Sequence, residues 1–102
     1  MNLTEKEKNA LKNELVTSLC SDKHVKKIVI FGSFVYSNNP HDMDVAVFQE
    51  SNDSYLKLAM EYRRKIRSIA NKIPIDIFPV RSDADGHSFL SEIAGGETVY
   101  ER

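Results

Sequence analysis

Two apolar segments joined by a short polar loop make up residues 28–48, which read IVIFGSFVYSNNPHDMDVAVF. Both segments are rich in β-branched and aromatic residues, which pack well on a pleated sheet and so predict two strands. The loop contains Asn38-Asn39-Pro40, a strong turn signal, and leaves room for only a short helical turn after Gly32. The stretch therefore predicts a strand, a short turn and a second strand.

An amphipathic helix is predicted upstream, over residues 4–20. Thr4 and Glu7 have the spacing of a capping box, in which two side chains bond the free amides at a helix start. Leucines then recur at helical spacing, at Leu11, Leu15 and Leu19. A polar break follows this helix, so we expect the first strand over Val25–Phe31.

A second strand over Met43–Phe48, a long helix and a third strand are predicted downstream. The apolar residues that should mark the sheet-facing side of the helix are Leu56, Met60, Ile66, Ala70 and Ile73. The third strand spans residues 73–80 and contains two prolines, which cannot donate ladder hydrogen bonds and favour an edge position or strand ends. A last helix containing Phe89, Leu90 and Ile93 should end at Gly95-Gly96.

The order of these elements predicts an α/β (α+β) fold with a small mixed sheet flanked by helices. The chain has 102 residues and no internal repeat or Pro/Gly/Ser-rich linker, so we expect residues 1–102 to form a single domain. No apolar run approaches the ~20 residues that span a membrane, and the lone Cys20 excludes an intrachain disulfide and favours the cytoplasm. A net charge of −1 gives no general reason to bind nucleic acid, so bound phosphates would need a local site.

Three aspartates stand out as candidate metal ligands. Asp42 and Asp44 flank Met43 at the start of the second strand, where alternation points both side chains to the same face. Two carboxylates this close repel each other unless a cation lies between them, and Mg²⁺ prefers such oxygen ligands. Asp76 lies alone in the third strand, on the face opposite Ile75 and Ile77, and would converge on the pair if the two strands are neighbours. The alternative for all three is a solvated position.

Gly32-Ser33 is a candidate anion site at the end of the first strand. A glycine lets a phosphate approach the backbone closely, and the free amides at the start of a helical turn point toward an anion. When the pair is considered alone, a plain turn is the more common explanation of Gly-Ser after a strand.

Together these features resemble the minimal nucleotidyltransferase family, the small branch of the DNA polymerase beta superfamily. They are a strand followed by Gly32-Ser33, a short loop, Asp42-x-Asp44 on a strand, a helix, and Asp76 in an apolar strand. The resemblance covers residues 25–101 and includes a tail similar to the family's closing helix and short extension. It implies the polymerase beta-like nucleotidyltransferase fold.

The resemblance also implies roles for these residues. Gly32 and Ser33 would bind the triphosphate, while Asp42 and Asp44 would bind two Mg²⁺ ions. Asp76 would join one metal and accept the proton of the attacking hydroxyl. The implied reaction transfers a nucleoside monophosphate, AMP from ATP, to a hydroxyl acceptor and releases pyrophosphate.

A protein partner is implied as well, since many minimal nucleotidyltransferases act beside a small helical HEPN-domain protein and some add AMP to it. The acceptor hydroxyl is therefore expected on a protein such as a HEPN-type toxin. The alternative function is that of a catalytically weak or inactive, antitoxin-like binding partner of a HEPN-domain protein. A homodimer of this chain is also left open.

The loop over residues 34–41 departs from the family pattern. It is shorter than usual and lacks the basic residue and second glycine that commonly follow Gly-Ser, which would weaken triphosphate binding. A cation could instead come from the long helix, through Arg63 or Arg67, although a basic helix face is more often simply solvated.

Overall fold

The computed structural model describes residues 2–82 and 93–102. The described helices and strands are α1 (Glu5–Leu19), β1 (Val25–Phe31), α2 (Ser33–Tyr36), β2 (Met43–Gln49), α3 (Tyr55–Lys65), α4 (Arg67–Ala70), β3 (Ile75–Arg81) and β4 (Glu97–Glu101). The predicted last helix falls largely on residues 83–92, outside the described residues. No helix in the described part of the chain is both long enough and apolar enough to cross a membrane.

The four described strands form one mixed sheet in the order β3-β2-β1-β4. Strand β1 pairs antiparallel with both β2 and β4, whereas β2 and β3 run parallel. The predicted fold class and the edge position of β3 are confirmed. The parallel pair is possible because α3 and α4 form the crossover that returns the chain to the same end of the sheet.

Helices α1, α3 and α4 cover one face of the sheet and enclose the main core. This core takes Leu11, Leu15 and Leu19 from α1, alternate strand residues such as Ile28, Val45 and Ile77, and Leu58, Tyr62, Ile66 and Ile69 from the crossover. The capping box predicted at the start of α1 is present, with reciprocal bonds between Thr4 and Glu7. The opposite face carries a smaller apolar cluster of Val29, Phe31, Ala46 and Ile93.

The predicted packing face of the long helix was wrong in part. The side chains of Leu56 and Met60 are 66% and 58% exposed, and Ala70 is exposed as well. Leu58 and Tyr62 face the sheet instead, because their spacing continues into Ile66 and Ile69 and buries a tyrosine ring. The helix is also not continuous, since α3 ends at Lys65 and Ile66 leaves the helical conformation, with φ −102° and ψ 14°.

Strand β4 was not predicted. A short extension was expected after Gly95-Gly96, whereas residues 97–101 pair with β1 and form an edge of the sheet. Gly96 makes the close approach possible, because a Cβ there would lie 2.5 Å from the backbone oxygen of Ile30.

Candidate active site

The three aspartates singled out in the sequence meet at one end of β2 and β3. These two strands run parallel, and Asp44 is the register partner of Asp76. Asp42 lies one residue before the start of β2. One carboxylate oxygen from each of the three residues lies within 4.8 Å of the other two.

Side-chain alternation directs these carboxylates away from the main core. Val45 and Ile77 point into the core beneath the helices, so Asp44 and Asp76, one residue earlier on each strand, project from the opposite face. Asp42 and Asp44 are half-buried and Asp76 is exposed. The site is therefore open on the side of the edge strand β3.

The donor set fits a divalent cation of the magnesium type. Mg²⁺ binds oxygen ligands at about 2.0–2.1 Å, so oxygens on opposite sides of one ion are about 4.2 Å apart. The carboxylate oxygens of the three aspartates lie within 4.8 Å of one another, which is close to this oxygen–oxygen distance. Three formal negative charges at this separation favour a bound cation. In the described residues, this is the one cluster of three or more Asp, Glu, His or Cys side chains with such a geometry.

Gly32 brings the loop after β1 against this cluster. Its φ of 78° and ψ of −157° belong to a region that is essentially restricted to glycine. A Cβ at this position would lie 2.5 Å from Oδ2 of Asp44. The absence of a side chain therefore serves both the conformation of the loop and its contact with the carboxylate. Ser33 follows at once, exposed, as the first residue of α2.

A buried lysine from α1, which was not predicted from the sequence, supports the same loop. Lys8 is only 5% exposed. Its Nζ donates hydrogen bonds to the carbonyl oxygens of Phe34, at 2.8 Å, and Ser37, at 2.6 Å. The available signal was its spacing, because Lys8 lies three residues before Leu11 and extends the buried stripe of α1 by one turn.

Arg63 and Arg67 are not brought to the carboxylates. Both belong to the helical layer, which covers the sheet face opposite the one from which Asp44 and Asp76 project. Both are exposed, in agreement with the solvated alternative. His41 is also exposed, next to Asp42 in the loop.

Comparisons with known proteins agree with this fold. The family model described as "Polymerase beta, Nucleotidyltransferase" matches residues 13–102. Among solved structures, the toxin–antitoxin complex MntA–HepT matches with a TM-score of 0.63 and 18% identity, over 92% of this chain and 73% of that chain. A complex of the tri-AMPylated Shewanella oneidensis HEPN toxin with its MNT antitoxin matches with a TM-score of 0.60 and 18% identity, over 93% of this chain and 73% of that chain. The comparison with curated proteins gave no match.

The two solved structures share a fold with this chain. At 18% identity, the similarity shows the fold alone. The family model is more informative, because its match over residues 13–102 spans most of the chain. The protein therefore belongs to the polymerase beta nucleotidyltransferase family.

Proposed function

We propose that this chain is a Mg²⁺-dependent nucleotidyltransferase that transfers AMP from ATP to a hydroxyl group on a HEPN-type partner protein. The observation that carries the proposal is the convergence of Asp42, Asp44 and Asp76 beside the glycine loop. Family membership supports the class of reaction. The fold shared with an MNT antitoxin, found in complex with a tri-AMPylated HEPN toxin, supports the class of acceptor.

The reaction is an in-line displacement at the α-phosphorus of ATP. The acceptor hydroxyl oxygen forms a bond to that phosphorus, the bond to the bridging oxygen of the β-phosphate breaks, and pyrophosphate leaves. Such a transfer asks the protein mainly for positioning and charge neutralisation. A small domain with one open site can supply both.

Each site residue has a distinct part in this proposal. Asp42 and Asp44, with Asp76, would hold two Mg²⁺ ions, which when bound stabilise the charge on the attacking and leaving oxygens. Asp76 accepts the proton of the acceptor hydroxyl. Its exposed position on edge strand β3 suits this role, because an acceptor carried by another protein can reach it. Gly32 and Ser33 bind the triphosphate through backbone amides and the serine hydroxyl.

The experiment that tests the proposal is a calorimetric titration with ATP and GTP, with and without Mg²⁺. The variant Asp42→Asn/Asp44→Asn removes two ligand charges. Asp53→Asn serves as a control, because Asp53 lies two residues before α3 and outside the carboxylate cluster. We expect Mg²⁺-dependent ATP binding in the wild type and the control and its loss in the double variant. Transfer of label from α-³²P-ATP to a HEPN-domain protein should follow the same pattern.

A second candidate function is that of an antitoxin-like binding partner with little or no transfer activity. The favouring observation is that residues 34–41 contain no lysine or arginine, while the Lys8 ammonium beneath the loop donates to the carbonyl oxygens of Phe34 and Ser37. Inhibition of the partner by the Asp42→Asn/Asp44→Asn variant, with no label transferred by the wild type, would establish this role instead.

A further inference from the structure

The outward side of the crossover carries a row of five exposed residues, which we call the α3 stripe: Leu56, Met60, Arg63, Arg64 and Arg67. From Leu56, the spacing of four, seven and eight residues places Met60, Arg63 and Arg64 along the same side of α3. Arg67 follows after the break at Ile66, as the first residue of α4. The two apolar residues lie toward the start of α3, and the three arginines follow at its end and in the first turn of α4. Both apolar side chains are more than half exposed, at 66% for Leu56 and 58% for Met60.

The arginines of the stripe differ from the lysines of the same helix in their pairing. Lys57 forms an ion pair with Asp53, and Lys65 forms one with Asp22. Within residues 2–82 and 93–102, none of the three arginines has a carboxylate within 4.0 Å. The stripe therefore combines exposed apolar surface with arginines that form no ion pair with the described residues.

The stripe lies on the other side of the sheet from the carboxylates. Leu58 and Tyr62, on the inner side of α3, pack into the core beneath the helices together with Ile77 of β3. Asp76 projects from the opposite face of that same strand. A protein bound to the stripe would leave the nucleotide site open, and an acceptor it carries could reach Asp76 around the β3 edge.

We propose that the α3 stripe is the docking surface for the partner protein, and that it contacts an apolar patch bordered by carboxylates. The inference rests on the proposed function for the identity of that partner. Arginine is enriched at protein interfaces and pairs with carboxylates through two parallel hydrogen bonds. Leu56 and Met60 favour a protein over nucleic acid, because a phosphate backbone would use the arginines and leave the apolar end in water.

The test uses two variants of the stripe and one matched control. Arg63→Glu/Arg64→Glu reverses the charge, and Leu56→Ser/Met60→Ser removes the apolar contact. Lys6→Glu/Lys23→Glu makes the same change of net charge at two exposed lysines outside the crossover. All four proteins, including the wild type, are titrated by calorimetry against purified HEPN-domain proteins of the source genome, and each is also titrated with ATP and Mg²⁺.

We expect both stripe variants to bind the partner at least tenfold more weakly than the wild type, with the control within about twofold, and all variants to keep the wild-type response to ATP and Mg²⁺. Wild-type affinity in both stripe variants overturns the inference, and so does a wild type that binds no HEPN-domain protein. A wild type that binds ATP with Mg²⁺ but no HEPN-domain protein contradicts the proposed acceptor as well. Partner binding without ATP binding contradicts only the proposed transfer activity. Binding of single-stranded RNA that is lost in Arg63→Glu/Arg64→Glu, with partner affinity unchanged, would also overturn it.

Discussion

Gly32 lies directly against the carboxylate of Asp44, and only a residue without a side chain fits at this position. A Cβ on Gly32 would come within 2.5 Å of Oδ2 of Asp44. Phe31, the residue before the glycine, is the register partner of Asp44 across β1 and β2. The antiparallel pairing of these strands therefore sets the loop that follows β1 directly against a metal-ligand candidate.

Replacement of Gly32 by alanine should damage both the fold and the site. The conformation of Gly32, with φ 78°, costs an alanine about 1–3 kcal/mol, which lowers the Tm of a domain of this size by roughly 4–8 °C per kcal/mol. The new methyl group also displaces the Asp44 carboxylate, so the affinity for ATP with Mg²⁺ should fall at least tenfold. Thermal unfolding and calorimetry measure the two effects, and undiminished ATP affinity in Gly32→Ala would contradict the proposed role of the contact.

Magnesium should stabilise the wild type more than the Asp76→Asn variant. An ion that binds only the folded state at ten times its Kd adds about 1.4 kcal/mol, which is several degrees in Tm. Asp76 is exposed on an edge strand, so its replacement should leave the metal-free Tm almost unchanged while removing one ligand charge. Thermal scans over a range of MgCl₂ concentrations check this, with NaCl at matched ionic strength as the control. Equal shifts in the two proteins would exclude Asp76 as a ligand.

Lys8→Met should destabilise the protein and weaken nucleotide binding together. The substitution leaves the carbonyl oxygens of Phe34 and Ser37 without the Lys8 donor, at a cost of about 1–3 kcal/mol. Because those carbonyls belong to α2 and its C-terminal cap, the loop that starts at Gly32 should lose its fixed position. Urea unfolding and ATP titration measure both quantities.

The matched control for this prediction is Lys6→Met, which removes an exposed lysine from the same helix and should change the free energy of unfolding by no more than about 0.5 kcal/mol. If Lys8→Met behaves like Lys6→Met, the two carbonyl contacts contribute little to stability.

Tyr62→Phe should be neutral or stabilising, by up to about 1 kcal/mol. The Tyr62 side chain is fully buried, and its hydroxyl has no hydrogen-bond partner among the described residues. Removal of an unpaired buried hydroxyl relieves a desolvation cost and leaves the ring in place. Tyr62→Ala is the contrasting variant, because loss of the ring should cost about 3–5 kcal/mol. A clear loss of stability in Tyr62→Phe would mean that the hydroxyl is paired.

The same tyrosine predicts a pH dependence. Burial, and then the negative charge of Asp22, raise the pKa of Tyr62 above its ordinary value. Above pH ~10 the tyrosine of the unfolded chain loses its proton while the folded one keeps it, so the unfolded state binds fewer protons and stability falls as pH rises. Tyr62→Phe has no hydroxyl to titrate, so this fall in stability is absent from the variant. Its stability relative to the wild type, measured by urea unfolding, should therefore increase between about pH 9 and pH 11.

The local pattern was sufficient to find the candidate site and the strands that carry it. Alternation along Met43–Phe48 and along residues 75–78 assigned the aspartates to one face and the apolar residues to the other. That assignment needs no knowledge of distant contacts, because successive side chains in any strand point to opposite faces. The prolines in the third strand likewise indicated an edge position, which the sheet order confirms.

The buried side of a helix was harder to predict from the sequence where more than one side carried apolar residues. Leu56 and Met60 have helical spacing, as do Leu58 and Tyr62, so either pair could have faced the sheet. The side that is buried depends on how α3 is oriented over the sheet, which the local spacing does not specify. The strand at residues 97–101 was missed for a similar reason, since its exposed or half-buried residues have a partner only once β1 is in place.

The types of residue in the site, and the strand ends on which they lie, were thus properties of the chain alone, because they follow from local periodicity and from the chemistry of carboxylates and glycine. Three relationships required the tertiary structure: the parallel register of Asp44 with Asp76, the contact of Gly32 with Asp44, and the insertion of Lys8 beneath α2. Each joins segments more than ten residues apart. Pairings at that separation depend on how whole elements pack, which no short pattern in the sequence specifies.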